Sequence, residues 1–379
     1  MVWLIAARAL QGVGGGGLNS LVMAIVGDVV APRDRARHQA TLGIVPAIAI
    51  VIGPVLGGLI VDHWNWTWIF LINVPLGGLA LWMISSRLHL SAPSSPHRLD
   101  IAGALLAVVF TTCALLITSL AGQAFAWTSW PIIGLAVTTF VALPAYLLVE
   151  HRAVEPITPL SLFSNSIFVI SALLFFLATA ALFVGLLFVP LMLQTIFGHS
   201  AFVAGASIVP LLLGLIAASM VSGTLISKGA RYKAFPIFGA LLCGAGLGVL
   251  GFTTLDTSLW TVVAALIGLG SGLGLFIQVA VLAGQNAVAH RNLGVATGTL
   301  NFFKTMGGAS GAAVLGAILA AGLAGASAPV QALAAFRHVF LDTAALMGVA
   351  LLLAVLLREK PLSAEVVAIA EGRVDVPEY

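Results

Sequence analysis

Four residues near the start of the chain, Arg8, Gln11, Gly15 and Asn19, fall at i, i+3, i+7 and i+11. That spacing puts them on one face of a helix, opposite Ala7, Leu10, Leu18 and Leu21. A guanidinium inside an apolar run needs a carboxylate, a carbonyl or water as partner, and such residues mark transport paths. The competing reading is an arginine whose head snorkels to the nearest surface. The hydrogen-bonding face beside Arg8, carried by Gln11 and Asn19 with Gly12 between them, favours a functional charge.

A second constellation is Gly53-Pro54-Val55-Leu56-Gly57-Gly58. Pro54 removes an amide and frees the carbonyl of Ile50. Gly53 and Gly57 share a face and are spaced for close helix contact. A kinked helix with a smooth face suits a moving gate, and it equally suits a static kink. Two further glycine sets, Gly268/Gly270/Gly272/Gly274 and Gly307/Gly308/Gly311/Gly316, predict tightly packed helices that can also slide. Asn73, Gln194, Gln278 and Asn301 are neutral hydrogen-bonding residues in or at the ends of apolar runs, where polar groups are expected to face a bundle interior or cavity. For Gln278 and Asn301, bonding between helices is an equal alternative.

Enzyme chemistry finds little support. The eight histidines lie in loops or at the ends of apolar runs, with no ligand-spaced pair. Cys113 and Cys243 sit within apolar runs without disulfide or metal spacing. No cofactor, metal or nucleic-acid partner is expected, because the basic residues are scattered singly.

The elements that must position these residues follow from composition. Of 379 residues, 60% are hydrophobic and 8% charged, whereas soluble domains carry about 25% charged residues. A span needs roughly 20 apolar residues. Eleven candidate spans lie near 2–27, 40–61, 67–86, 101–121, 130–149, 167–193, 203–226, 234–253, 259–284, 294–322 and 338–357. The expected fold is all-α, a polytopic membrane helix bundle. If the N-terminus is outside, thirteen Lys and Arg fall in cytoplasmic segments, only Arg337 falls outside, and Arg8 and Lys304 fall within spans. This asymmetry predicts a cytoplasmic loop 28–38, an external loop 323–337 and a cytoplasmic tail 361–379. Asp28 and Asp62 sit at span ends, so no carboxylate is expected deep within a span. The start has no basic n-region of a cleavable signal peptide.

These residues carry a family resemblance. Arg8-Ala9-Leu10-Gln11-Gly12-Val13-Gly14 resembles the fourth-helix R-x-x-Q-G-x-G motif of the major facilitator superfamily. Gly53 to Gly58 resembles its fifth-helix antiporter motif. Trp64-Asn65-Trp66-Thr67-Trp68-Ile69-Phe70-Leu71-Ile72-Asn73-Val74-Pro75-Leu76-Gly77 resembles the stretch leading into the sixth helix of the fourteen-helix drug:proton antiporter branch. Gln194 to Gly205 and Phe302-Phe303-Lys304 before Gly307 extend the resemblance towards the end of the chain.

The resemblance implies two helical halves related by an axis along the membrane normal. The remainder of the N-terminal half would be residues 1–100, two linking helices 101–150, and the C-terminal half 151–360. It implies a monomer in the plasma membrane that exports amphipathic small molecules or drugs against protons. In that scheme Arg8, Gln11 and Gly12 couple protons, Gly53, Pro54, Gly57 and Gly58 gate, and Asn19, Asn73, Gln194, Gln278 and Asn301 line the cavity. Counted against the family, helices one to three are absent, and the coding sequence is expected to continue upstream of Met1. Asn65 stands where the family has arginine, and Ser227 where it has an acid. The alternative reading is a transport-inactive fragment. A membrane-embedded enzyme is the remote one.

Overall fold

In lipid, an apolar segment satisfies its own backbone groups as a helix, and long helices dominate the computed structural model. The structure describes residues 3–4, 6–12, 14–16, 49, 52–53, 56–87, 100–121, 124–153, 156–227, 231–288 and 293–359. It divides into two units, Met1–Ile52 with Pro361–Tyr379 and Gly53–Lys360. In the first, residues 6–12 and 14–16 are helical.

In the second unit, residues 56–63 are helical, and a short helix Trp68–Leu71 leads into α1 (Asn73–Arg87). Then follow α2 (Ile101–Leu120), α3 (Trp130–Arg152), α4 (Ser166–Thr195), α5 (Ala201–Ala206), α6 (Ile208–Ser227), α7 (Ala234–Gly251), α8 (Leu259–Asn286), α9 (Leu293–Ala324) and α10 (Pro329–Leu356). Among the described residues, nine helical stretches are long and apolar enough to cross a membrane. The chain is therefore a polytopic helical bundle.

Local chemistry sets the boundaries. Asp100 caps α2 by accepting from the Gly103 amide at 2.8 Å, and Asn165 caps α4 by accepting from Ile167. Side chains of this kind occupy helix N-caps because they satisfy amides the helix leaves open. After α4 the chain turns at Gly198, whose φ of +68° favours glycine.

Two expected spans show internal or boundary detail beyond the sequence. The span expected over 203–226 is present as Ala201–Ile226, and within it a turn at Ser207 separates α5 from α6. Pro210 in the first turn of α6 has no amide to continue the ladder to Ala206, and Ser207 Oγ donates to the carbonyl of Ala204 at 2.6 Å. The span expected at 338–357 begins nine residues earlier, with Pro329 in the first turn of α10, where it is tolerated. The expected external loop 323–337 therefore shrinks to Gly325–Ala328, and Arg337 lies in a helix. Its Nε donates to the carbonyl of Gly251, the last residue of α7, at 2.9 Å. One further correction follows. Asp342, five residues beyond Arg337, lies inside α10 and about 8 Å deeper along it, so a span does hold a carboxylate.

The centre of the second unit is α8. It packs on α6, α7 and α4, while α9 lies on α4, and α10 lies on α7 and α4. The pair α2–α3 joins this group through α2 against α9. The glycine sets make these contacts close. A Cβ at Gly270 would strike the Leu211 carbonyl, one at Gly274 that of Leu215, and one at Gly272 the Gly239 carbonyl and Cys243 Sγ. On α9, Gly307 lies against the Phe176 carbonyl and Gly311 against Ala180, both on α4. Tight packing is thus their structural role.

Candidate transport site

In the first unit, Arg8 Nη1 donates to Gln11 Oε1 at 2.8 Å, one turn along the helix. The two residues that spacing put on one face do touch. The amide oxygen holds the guanidinium fork in one orientation and leaves its other donors for further partners. Gly12 follows in the same helical segment. Asn19 and Pro54 lie outside the described residues.

The residues after the Gly-Pro motif meet the chain that follows α4. A Cβ at Gly58 would come within 2.7 Å of the Ala201 carbonyl and 2.9 Å of Phe202 Cα. One turn on, Asp62 Oδ2 accepts from the Phe202 amide at 2.7 Å. Ser200 Oγ accepts from the next amide, that of Val203. Two open amides of α5 are thus satisfied, one by its own cap and one by a carboxylate from another segment. The carboxylate also meets the positive end of the helix. Among the described residues, the close contact of this motif is made by Gly58, and nothing comes within 4 Å of a Cβ at Gly53 or Gly57.

Gln194, Gln278 and Asn301 are all exposed within the helical bundle, but they do not form one set. Consecutive long helices joined by short turns alternate in direction, so depth can be counted from the ends. Gln278 lies eight residues before the end of α8, and Asn301 lies eight after the start of α9. Both are therefore about 12 Å from the same end of the bundle. That end also carries Arg152, Arg231, Lys233 and Arg358, and is the basic end. Gln194, next to last in α4, belongs to the opposite end with α5. Asn73 Nδ2 donates to the Ile69 carbonyl at 3.1 Å, which ties α1 to the short helix before it.

Three features at the basic end escaped sequence reading. Asn165 Nδ2 donates to the Ala287 carbonyl at 2.8 Å, joining the start of α4 to the end of α8. Gln285 Nε2 donates to Thr297 Oγ1 at 2.9 Å, joining α8 to α9. Glu150, only 3% exposed, accepts from the Thr158 amide at 3.1 Å. Beside it opens a cleft of about 290 Å³ lined by Phe110, Tyr146, Phe163, Phe176, Phe302 and Phe303 among others. The signal for Asn165 was its place as a capping residue before an apolar run. Its partner, 122 residues away, has no local signature. Among the described residues, no group of three His, Cys, Asp or Glu side chains is placed to hold a metal ion.

Residues 1–312 match the Major Facilitator Superfamily. The chain is 36% identical over 319 residues to the multidrug transporter protein MdtP of Bacillus subtilis, covering 84% of this chain and 59% of that protein. It is 34% identical over 393 residues to the MFS-type transporter Rv1877 of Mycobacterium tuberculosis, covering 96% of this chain and 57% of the relative. It is 31% identical over 316 residues to multidrug resistance protein 3 of Bacillus subtilis, covering 83% and 61%. The chain thus spans about three fifths of the length of these curated relatives. The chain, a helical bundle, belongs to the major facilitator superfamily, a family of transporters rather than enzymes.

Proposed function

We propose that the chain supplies most of a secondary active transporter that exports amphipathic small molecules or drugs, driven by protons. The observation that carries this reading is the Arg8–Gln11 pair on one helix face, in a chain 36% identical to a named multidrug transporter. A fixed guanidinium responds electrostatically when a nearby group gains or loses a proton, and this links proton binding to substrate binding. Gln11 and Gly12 belong to that element. Gly53, Pro54, Gly57 and Gly58 form the gating segment, whose Gly58–Ala201 contact closes one end.

In this reading the protein is a monomer in the plasma membrane with the basic end and the C-terminus in the cytoplasm. Residues 1–100 form the remainder of one half, 101–150 the linking helices and 151–360 the other half. Of the polar residues expected at the cavity, Gln278 and Asn301, which share one depth at the basic end, contribute contacts to substrate. Reconstitution into proteoliposomes loaded with a pH-sensitive dye tests the proposal. Proton movement on addition of a lipophilic dye substrate is expected. Substrate flux without proton movement would remove the coupling, and absence of both would remove the reading.

A further inference from the structure

Lys304 is an ammonium inside a membrane-spanning helix. It lies eleven residues into α9, about 17 Å from the basic end. α9 has 32 residues, about 48 Å against a hydrocarbon core of about 30 Å, so with the helix centred on the core Lys304 falls within it. The residue is exposed within the bundle. Among the described residues its side chain has no hydrogen bond and no ion pair. An unpaired charge at this depth is unfavourable unless water or a ligand meets it.

The described carboxylates of the second unit have other places. Asp62 holds the Phe202 amide, Asp100 caps α2 and Glu150 holds Thr158. Asp256 lies between α7 and α8, and Glu359 follows α10. Asp342 is on α10. Counted from the turn joining α9 to α10, it is thirteen residues in and Lys304 is twenty, which separates them by about 10 Å in depth. One turn from Lys304 towards the basic end lies Asn301, and Gln278 on α8 shares the depth of Asn301. A cation on an apolar helix, with a neutral hydrogen-bonding residue one turn away and another at that depth on a second helix, is complementary to an anion with an apolar body.

We propose that Lys304 is the anion-recognising group of the transport site, and that the chain takes amphipathic monoanions, a carboxylate or sulfonate on an apolar body. Asn301 and Gln278 supply donors beside the charge. This deepens the transport reading and rests on it.

The test is equilibrium binding to the chain in phosphatidylcholine nanodiscs, which contain no anionic lipid. Two probes share one apolar body, anilinonaphthalene sulfonate and the uncharged phenylnaphthylamine. Wild type is expected to prefer the sulfonate. Lys304→Gln should lose roughly tenfold in sulfonate affinity, the scale of one charged hydrogen bond, and leave the neutral probe within about twofold. Lys304→Arg should keep the preference. Equal binding of both probes by wild type overturns the proposal. So does a Lys304→Gln variant that keeps the preference or loses both probes alike. If Lys304→Gln fails to fold, the wild-type ratio decides alone. An anion preference that depends on Lys304, without transport in proteoliposomes, would overturn the transport reading and leave this site standing. Transport without the preference would do the reverse.

Discussion

The carboxylate of Asp62 and the backbone amide of Phe202, 140 residues apart in the chain, are joined by a 2.7 Å hydrogen bond. One turn before Asp62, Gly58 lies against the Ala201 carbonyl. Together they fasten the end of the Gly-Pro segment to the start of α5. Hydrogen bonds to charged groups contribute about 1.5–3 kcal/mol. Asp62→Ala is therefore expected to lower stability by about 2 kcal/mol. Thermal unfolding in detergent, compared with Asp62→Asn, checks this. The asparagine keeps an acceptor oxygen and should lose less.

Gly58→Leu should abolish transport while the protein still reaches the membrane. A branched side chain there meets backbone atoms, which have little room to yield, and overpacking of this kind costs about 1–3 kcal/mol. Gly57→Leu, which sequence spacing singles out, should be the milder change. Transport assays on both variants at matched membrane levels decide the order, and a more damaging Gly57→Leu would place the moving contact on the other glycine.

Arg8→Ala should uncouple proton movement from substrate movement, and Arg8→Lys should restore it poorly. An ammonium cannot reproduce the planar fork that Gln11 orients. Proton flux in liposomes after substrate addition is the measurement. Normal coupling in Arg8→Ala would take this residue out of the mechanism.

Cysteines introduced at Arg35 and Ser327 report topology. The Ser327 site lies in the short turn before α10, where the Ser327 amide bonds Gln331 Oε1 at 2.8 Å. In intact cells an impermeant thiol reagent should label Ser327→Cys and spare Arg35→Cys. Cys113 is partly exposed and Cys243 buried, so Cys113→Ser is the proper background. The opposite labelling pattern would invert the orientation.

The helical class and most of the spans were legible because bilayer thickness imposes a length on apolar runs, and lipid leaves the backbone no other partner. The errors are instructive. The start of α10 was missed because Arg337 and His338 interrupt the hydropathy. The structure keeps the helix running through them by giving Arg337 the Gly251 carbonyl. That misplaced start also hid Asp342. The break at Ser207 lies in an unbroken apolar run, where only Pro210 signals it. Of the candidate site, the Arg8–Gln11 contact is local and follows from the 3.6-residue period. The role of Gly58 depends on α5, whose approach no local pattern encodes. Lys304 was visible as a charge within a span, and its isolation became evident only once the positions of the carboxylates were known.

Thr179 Oγ1 donates to the backbone carbonyl of Lys304 at 2.8 Å, just before the pair Gly307–Gly308. That carbonyl would ordinarily depend on the amide four residues ahead, and here it has a second donor from α4. The helix can open this one rung without leaving an orphaned acceptor in lipid, and the glycines that follow add no side-chain obstruction to bending. Interruptions of this kind are where long helices kink. The turn that carries the ammonium is thus a place where α9 can flex without orphaning an acceptor. A tilt of the segment before that turn, from Leu293 to Asn301, would re-aim the charge while the α4–α9 seam at Gly307 and Gly311 holds.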